Sequence, residues 1–229
     1  TGGILVTTTS PNQDPLVDRL SKVDACAASD ALDRLGLKGS IIGIKPLTIT
    51  TKIVGRVVTT RMKAFGGEKS TRHLGAAAIE ASKPGDIIVI DHRGRLDCAA
   101  WGGILSNGAM VKGVAGVIVD GAVRDVDESR ELGLPVFGRA GVQVTARTRI
   151  IEESCNEPIE MCGVWVRPGD LVIADSSGVV FISADHENEV VLAAEDIAAR
   201  EALMTKDVLS GKPISEVMGA NYETMLERK

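Results

Sequence analysis

Apolar residues in this chain recur at two spacings, and the spacing changes from segment to segment. Val114–Val119 is β-branched and apolar almost throughout, the length of a buried strand. Before it, Ile104–Lys112 carries apolar residues at helical spacing and stops at Gly113, a natural helix end. After it, Gly121 permits a tight bend, which puts Arg124 and Asp125 just past the strand's C-terminal end. The same reading predicts strands over Ile41–Pro46 and Thr48–Thr60, with a bulge or bend at Gly55. It predicts further strands at Ile87–Ile90, Leu134–Phe137, Ile159–Val166, Leu171–Ala174 and Val179–Ile182.

Helical spacing covers Leu16–Leu35, with a break near Ala27-Ala28 where Ser29 and Asp30 cap a second segment closed by Gly36. It returns over Leu74–Ala81, Glu187–Leu209 (stopped at Gly211-Lys212-Pro213) and Ile214–Leu226. Thr1–Asp14 reads as an extended arm, and residues 91–100 as a polar loop. Pro84-Gly85-Asp86 and Pro168-Gly169-Asp170 each precede an apolar strand; a recurring turn explains both without an internal duplication. No segment has linker composition, so one domain over 1–229 is the simplest organisation.

Composition narrows the function. At 229 residues the chain can bury a sizeable core. A formal net charge of −5 argues against a phosphate-backbone binder, and aromatics at 3% argue against a base-stacking platform. The expected partners therefore include no nucleic acid. No apolar run is long enough for a membrane span, and no basic-then-apolar leader opens the sequence, so the expectation is no membrane and a cytoplasmic location. Cys26, Cys98, Cys155 and Cys162 include no CxxC pair, which removes a zinc ribbon or a thioredoxin-like motif and leaves free thiols. Phe65–Ser70 fails as a phosphate loop, because Glu68 separates glycine from lysine and the upstream glycine is missing.

The candidate chemistry sits at the strand end. Arg124 suits an anionic substrate and Asp125 a metal ion. Equally, Asp125 with Glu128 has the form of a helix N-cap with its capping-box partner, and Arg124 could pair with a surface acid. Glycines 102 and 103 open a helix whose unpaired N–H groups would face an anion. The polar segment 91–100 leads into that glycine turn and brings His92 and Asp97 towards the same place. His92 has the ordinary pKa for proton transfer near neutrality, and the alternative is a surface histidine. His73 and His186 read as structural or solvated. Trp101 supplies aromatic area beside convergent polar groups, as ligand sites do.

Gly113–Asp127, centred on Arg124-Asp125, resembles the signature of the RraA-like family, which includes class II pyruvate aldolases. Ser29–Asp33, Pro84-Gly85-Asp86, Leu134–Phe137 and Val166–Val179 follow in the family's order, so the resemblance covers about residues 16–212. It implies an α/β fold, a single-domain β/β/α sandwich of the swivelling-domain type, assembled as a homotrimer or a dimer of trimers with sites at subunit interfaces. It implies Mg²⁺ or Mn²⁺ on Asp125, a small 2-oxo acid whose pyruvyl part is held by Arg124, and its carboxylate on the backbone of Gly102, Gly103, Ile104 and Leu105. Glu201 matches an acid contributed by the neighbouring subunit. The implied reaction is cleavage of a 4-hydroxy-2-oxo diacid, or decarboxylation of oxaloacetate, through a pyruvate enolate. One departure bears on this: the aldolases carry an acid where this chain has Gly103, and Asp97 or His92 could supply the missing group. The family's regulators, which bind a ribonuclease, also lack that acid, so a non-enzymatic regulator and a diverged lyase or hydratase are the alternatives.

Overall fold

A computed structural model of the chain describes residues 14–68 and 72–219. The expected arm at 1–13, part of the loop at 65–70 and the end of the last expected helix lie outside the described residues. The chain runs α1 (Pro15–Leu20), α2 (Ala25–Leu35), β1 (Ser40–Ile41), β2 (Lys45–Pro46), β3 (Ile53–Ala64), α3 (Ala76–Ala81), β4 (Ile87–Ala99), α4 (Gly103–Lys112) and β5 (Gly116–Val123). It continues through α5 (Val126–Glu131), β6 (Val136–Gly138), β7 (Ala140–Gly141), β8 (Ile150–Cys155), β9 (Ile159–Met161), β10 (Val164–Val166), β11 (Leu171–Ala174), β12 (Val179–Ile182), α6 (Glu187–Leu209) and α7 (Ile214–Val217).

β3, β4, β5 and β6 are parallel neighbours. Parallel steps need crossovers, and α3, α4 and α5 provide them in turn. β11 adds antiparallel to the first half of β3, followed by β12 and β1. β3 thus belongs to both halves of a curled sheet, and its 12 residues are what allow this. Apolar positions then sort by face. Ile41, Ile53, Val57, Val89, Ile118, Phe137, Val172 and Phe181 fill the space between the two halves. Val58, Ile88, Val117 and Val119 bury the opposite face of the parallel half with Leu105 and Ala109 of α4. Leu171, Ile173, Val180 and Ile182 do so against α1, α2 and α6. The expected β/β/α sandwich is present, with a second helical layer on the far sheet.

Several expectations are corrected. The break in the first helical segment lies at 21–24, because Asp24 accepts from Ala27 N (2.8 Å) and starts α2; Ser29 and Asp30 lie inside that helix. Thr48–Lys52 is not strand. Thr48 instead ties the segment to the sheet, donating to Leu134 O (2.7 Å) and accepting from Val136 N (2.9 Å). Gly55 makes no bulge; it pairs regularly with Val172, and a side chain there would overlap Gly85 O. Gly121 makes no bend either, since β5 continues through it to Val123. Cys162 is not within a strand. With Gly163 it forms the hairpin turn between β9 and β10, both at positive φ (51° and 84°), as primed hairpin turns require. The two Pro-Gly-Asp segments make one kind of turn: Asp86 accepts from Lys83 N and Asp170 from Arg167 N, each at 2.7 Å.

The polar segment 91–100 is the largest miss. It is strand through Ala99, its register shifted between Ile90 and Arg95 and again before Ala99. Its polar side chains do not line a loop. Asp91 is buried and accepts from Arg61 Nε (3.0 Å), and His92 is buried beneath Gly121. Among the described residues no helix is long and apolar enough to cross a membrane.

Candidate active site

The C-terminal ends of β4 and β5 open on a cleft of about 440 Å³, where open parallel sheets bind ligands. Its geometry starts from backbone ties. Ala100 N donates to Ala122 O (3.0 Å) and Arg124 N to Trp101 O (2.9 Å), so the segment entering α4 is stitched to the segment leaving β5. This places the first turn of α4 beside Arg124 and Asp125. Gly102 is needed for that approach, because a Cβ there would meet Asp125 Oδ2 at 2.8 Å and Arg124 Cγ at 3.2 Å.

Asp125 adopts a left-handed backbone, φ 55°, which aspartate tolerates better than most residues. Its side chain makes no capping bond to α5. It caps the other helix: Oδ2 accepts from Gly103 N at 2.8 Å, and from Arg124 Nε at 3.2 Å. The capping-box reading therefore gives way, because αL geometry turns the carboxylate away from its own helix. Glu128, the expected box partner, accepts from Asn107 Nδ2 at 2.8 Å. Its Oε2 stands where a side chain on Gly103 would begin.

With Gly103 N engaged, the N–H groups of Ile104 and Leu105 have no acceptor among the described residues, as expected at a helix start. They face the cleft beside the guanidinium of Arg124, whose Nη atoms likewise carry no bond to a described residue. Asp125 Oδ1 is free in the same sense. Among the described residues no three His, Cys, Asp or Glu side chains converge as a metal site, so Asp125 is what one chain offers a cation. That fits Mg²⁺, which keeps several waters and is commonly bound by one or two carboxylates plus substrate oxygens.

Residues 102–105, Arg124 and Asp125 thus meet in one cleft. The other candidates do not join them. His92 is 1% exposed and its Nε2 bonds Cys98 O (2.8 Å), while Nδ1 is buried without a partner among the described residues. Asp97 is exposed and gripped by Arg95 (2.9 and 2.7 Å), which holds its carboxyl down at about 2. Neither lines the cleft. Glu201 lies on α6, half-buried, with its pKa raised by burial and by Asp30 and Asp24 nearby, and it does not reach the cleft of its own chain. Trp101 borders the cleft but is 2% exposed. Its indole is core, and Nε1 donates to Ser106 Oγ at 2.9 Å.

Other walls come from residues whose sequence context gave no such signal. Arg72 pairs with Glu152 (3.4 Å), which also accepts from Gly75 N (2.8 Å). Glu68 is held at about 2 by its own backbone N–H, that of Gly66 and Lys63. His73 and Arg147 complete this side. The antiparallel pairing of β8 with β3 brings Glu152 to the cleft, and that pairing with the ties of Val142 N to Val123 O and Ala99 N to Val144 O places the 145–148 loop there; no local pattern encodes these contacts.

Burial pushes the His92 imidazole below its ordinary value of about 6.5, although the Cys98 carbonyl and nearby acids pull it up. A depressed folded pKa adds stability above about pH 6.5 that is lost as the pH falls through the folded value. His92→Gln should lose this dependence: its melting temperature falls less than wild type between pH 7 and 5. Parallel curves would mean that His92 does not titrate differently on unfolding.

A cation, a carboxylate and helix-start amides without an acceptor among the described residues meet in one cleft at parallel strand ends. The family model described as RraA-like, Aldolase/RraA, matches residues 25–181, and the chain belongs to that family. It is 32% identical over 208 residues to protein DlpA of Legionella pneumophila, covering 91% of this chain but only 33% of that protein. It is 34% identical over 206 residues to a Halalkalibacterium halodurans protein provisionally named 4-hydroxy-4-methyl-2-oxoglutarate aldolase, covering 88% of this chain and 94% of the relative. Among solved structures, Streptomyces coelicolor RraAS2, described as an unusual member of the RNase ES inhibitor RraA family, superposes with a TM-score of 0.75 at 27% identity, covering 83% of this chain and 96% of that one.

Proposed function

We propose that this protein is a divalent-metal-dependent carbon–carbon lyase that cleaves a 4-hydroxy-2-oxo diacid, or decarboxylates oxaloacetate, through a pyruvate enolate. The observation that carries the reading is the meeting of Arg124, Asp125 and the free N–H groups of Ile104 and Leu105 in one cleft. The name of the Halalkalibacterium relative supports the same chemistry.

The 2-oxo acid's carboxylate lies against the amides of Ile104 and Leu105. Arg124 donates to the 2-oxo oxygen and gains strength as negative charge gathers there, the kind of interaction that lowers a barrier rather than a ground state. The C3–C4 bond breaks with its electron pair going to C3, and the C4 hydroxyl proton goes to a carboxylate. Glu128 fills the space a side chain on Gly103 would take, but it does not line the cleft and is not assigned this role. The enolate then takes a proton at C3 to give pyruvate. Loss of CO₂ from oxaloacetate reaches the same enolate. Mg²⁺ or Mn²⁺ held by Asp125 would supply Lewis-acid stabilisation of the developing charge.

A homotrimer or dimer of trimers belongs to this reading. Ile104 at the cleft's edge and Val111 at the other end of α4 are about nine-tenths exposed, and Leu203 and Leu209 are exposed on the far end of α6. Apolar surface of this kind on both helices supports burial against other copies, which would bring Glu201 to a neighbour's cleft.

The test is pyruvate release from oxaloacetate and from 4-hydroxy-2-oxo diacids with Mg²⁺ or Mn²⁺, with a chelator as control. Asp125→Ala should abolish metal-dependent release and cost about 1 kcal/mol of stability through the lost α4 cap. A stability loss with unchanged metal-dependent turnover would leave Asp125 a cap and nothing more. The likeness to RraAS2 favours one second reading, a regulator that binds a ribonuclease. It predicts no release from any substrate and a complex detectable without metal.

A further inference from the structure

The charged groups of the cleft are matched in pairs, with one exception. Arg124 has Asp125 at 3.2 Å, Arg72 has Glu152 at 3.4 Å, and Glu68 has Lys63 at 3.1 Å. Arg147 lines the same cleft, and among the described residues no acid meets its guanidinium. An arginine left unpaired beside paired ones can accept an incoming anion without breaking an existing ion pair.

The loop that carries it is built to hold a shape. It leaves β5 where Val142 N donates to Val123 O (2.8 Å) and reaches β3 where Phe65 N donates to Arg149 O (3.0 Å), so it runs along the cleft from the Arg124 side to the β3 side. Arg149 Nη1 donates back to the carbonyls of Thr145 (3.3 Å) and Arg147 (3.4 Å). Thr145 Oγ1 accepts from Arg147 N (3.3 Å), and Thr148 Oγ1 donates to Arg147 O (2.6 Å). Thr148 holds φ at 63°, a conformation that β-branched residues rarely adopt. The backbone around Arg147 is tied at four points, while its guanidinium meets no acid among the described residues.

We propose that Arg147 is a specificity-determining residue that receives the distal carboxylate of a dianionic substrate. The proposal rests on the reading above, in which the 2-oxo-carboxylate end lies on α4 and Arg124. A guanidinium fork matches a carboxylate with two parallel hydrogen bonds, so the second charge is recognised by shape as well as sign. The pair forms in the ground state and persists through the reaction, so it sets KM rather than kcat.

The experiment compares the full-length wild type with Arg147→Ala and Arg147→Lys, all with Mg²⁺. Pyruvate release is followed from a 4-hydroxy-2-oxo diacid and from 4-hydroxy-2-oxopentanoate, which lacks the distal carboxylate. Arg147→Ala should raise KM for the diacid about tenfold or more, with kcat within about twofold and the monoacid unaffected. Arg147→Lys should fall between. A KM unchanged for the diacid, or raised equally for both substrates, would overturn the proposal. Calorimetric binding of 2-oxoglutarate against 2-oxobutanoate separates this from failure of the lyase reading. If no substrate releases pyruvate, a wild-type preference for 2-oxoglutarate that Arg147→Ala removes still supports the subsite. Equal binding of the two probes to the wild type rejects it.

Discussion

Arg124→Ala is expected to lower metal-dependent pyruvate release by about 10²–10³, with the fold intact. The magnitude is that of removing one preorganised donor aimed at developing oxyanion charge, about 3–4 kcal/mol of transition-state stabilisation. The fold should survive because the side chain is partly exposed and its recorded bond is the 3.2 Å contact to Asp125. Its backbone N–H, which ties β5 to Trp101, is retained in the variant. The effect should fall on kcat and kcat/KM together, since the donor acts mainly as the enolate forms. Full activity in the variant, with unchanged thermal unfolding, would move the chemistry away from this cleft. Arg124→Lys should recover only part of the loss, because an ammonium cannot hold Asp125 and the substrate with one planar fork.

The largest stability effect is expected at Trp101. Its indole is 2% exposed, packs with Leu74, Leu105 and Val119 in the cluster beneath α4, and donates to Ser106 Oγ at 2.9 Å. Ser106 in turn bonds the hydroxyl of Ser129 in α5 at 2.7 Å. Trp101→Ala removes the ring and leaves a cavity under the turn that presents the amides of Ile104 and Leu105. A cost of about 3–5 kcal/mol follows from truncations of this size, roughly 10 °C in melting temperature for a chain of this length. Trp101→Phe keeps most of the volume and should cost about a third as much. Denaturant unfolding of the two variants measures this directly; an alanine variant as stable as wild type would mean that the ring is not core. Activity should fall with stability in Trp101→Ala, because the α4 turn loses its support, whereas Arg124→Ala separates the two.

Trp101 shows how far local pattern reached. The chain marked the helix after the glycine turn and the strand leading to Arg124-Asp125; the helix formed with nearly the expected bounds, while the strand begins two residues later and runs on through Gly121 to Val123. Glycine as a helix stop and a β-branched run as a buried strand are short-range effects, legible in a few residues. The same short-range logic misread the segment after Ile90. Its polar residues look like loop because nothing nearby shows that Asp91 pairs with Arg61 and that His92 is buried. It also read Asp125 as the cap of its own helix, since the partner that its carboxylate takes is 22 residues away.

By itself the sequence determined most of the order of strands and helices (though not β7, β8 or the second half of β4), the α/β class, and the placing of Arg124 and Asp125 at the end of a buried strand. Each follows from hydrophobic period and turn chemistry, which act between residues close along the chain. Tertiary structure alone decided that Asp125 caps α4, that Glu128 fills the space beside Gly103, and that Arg72, Glu152 and Arg147 wall the cleft. The first two depend on the ties between the segment entering α4 and the end of β5, and the placing of Glu152 on β8 pairing with β3. Long-range pairing of that kind is fixed by the burial of whole faces at once, and no window of a few residues contains it.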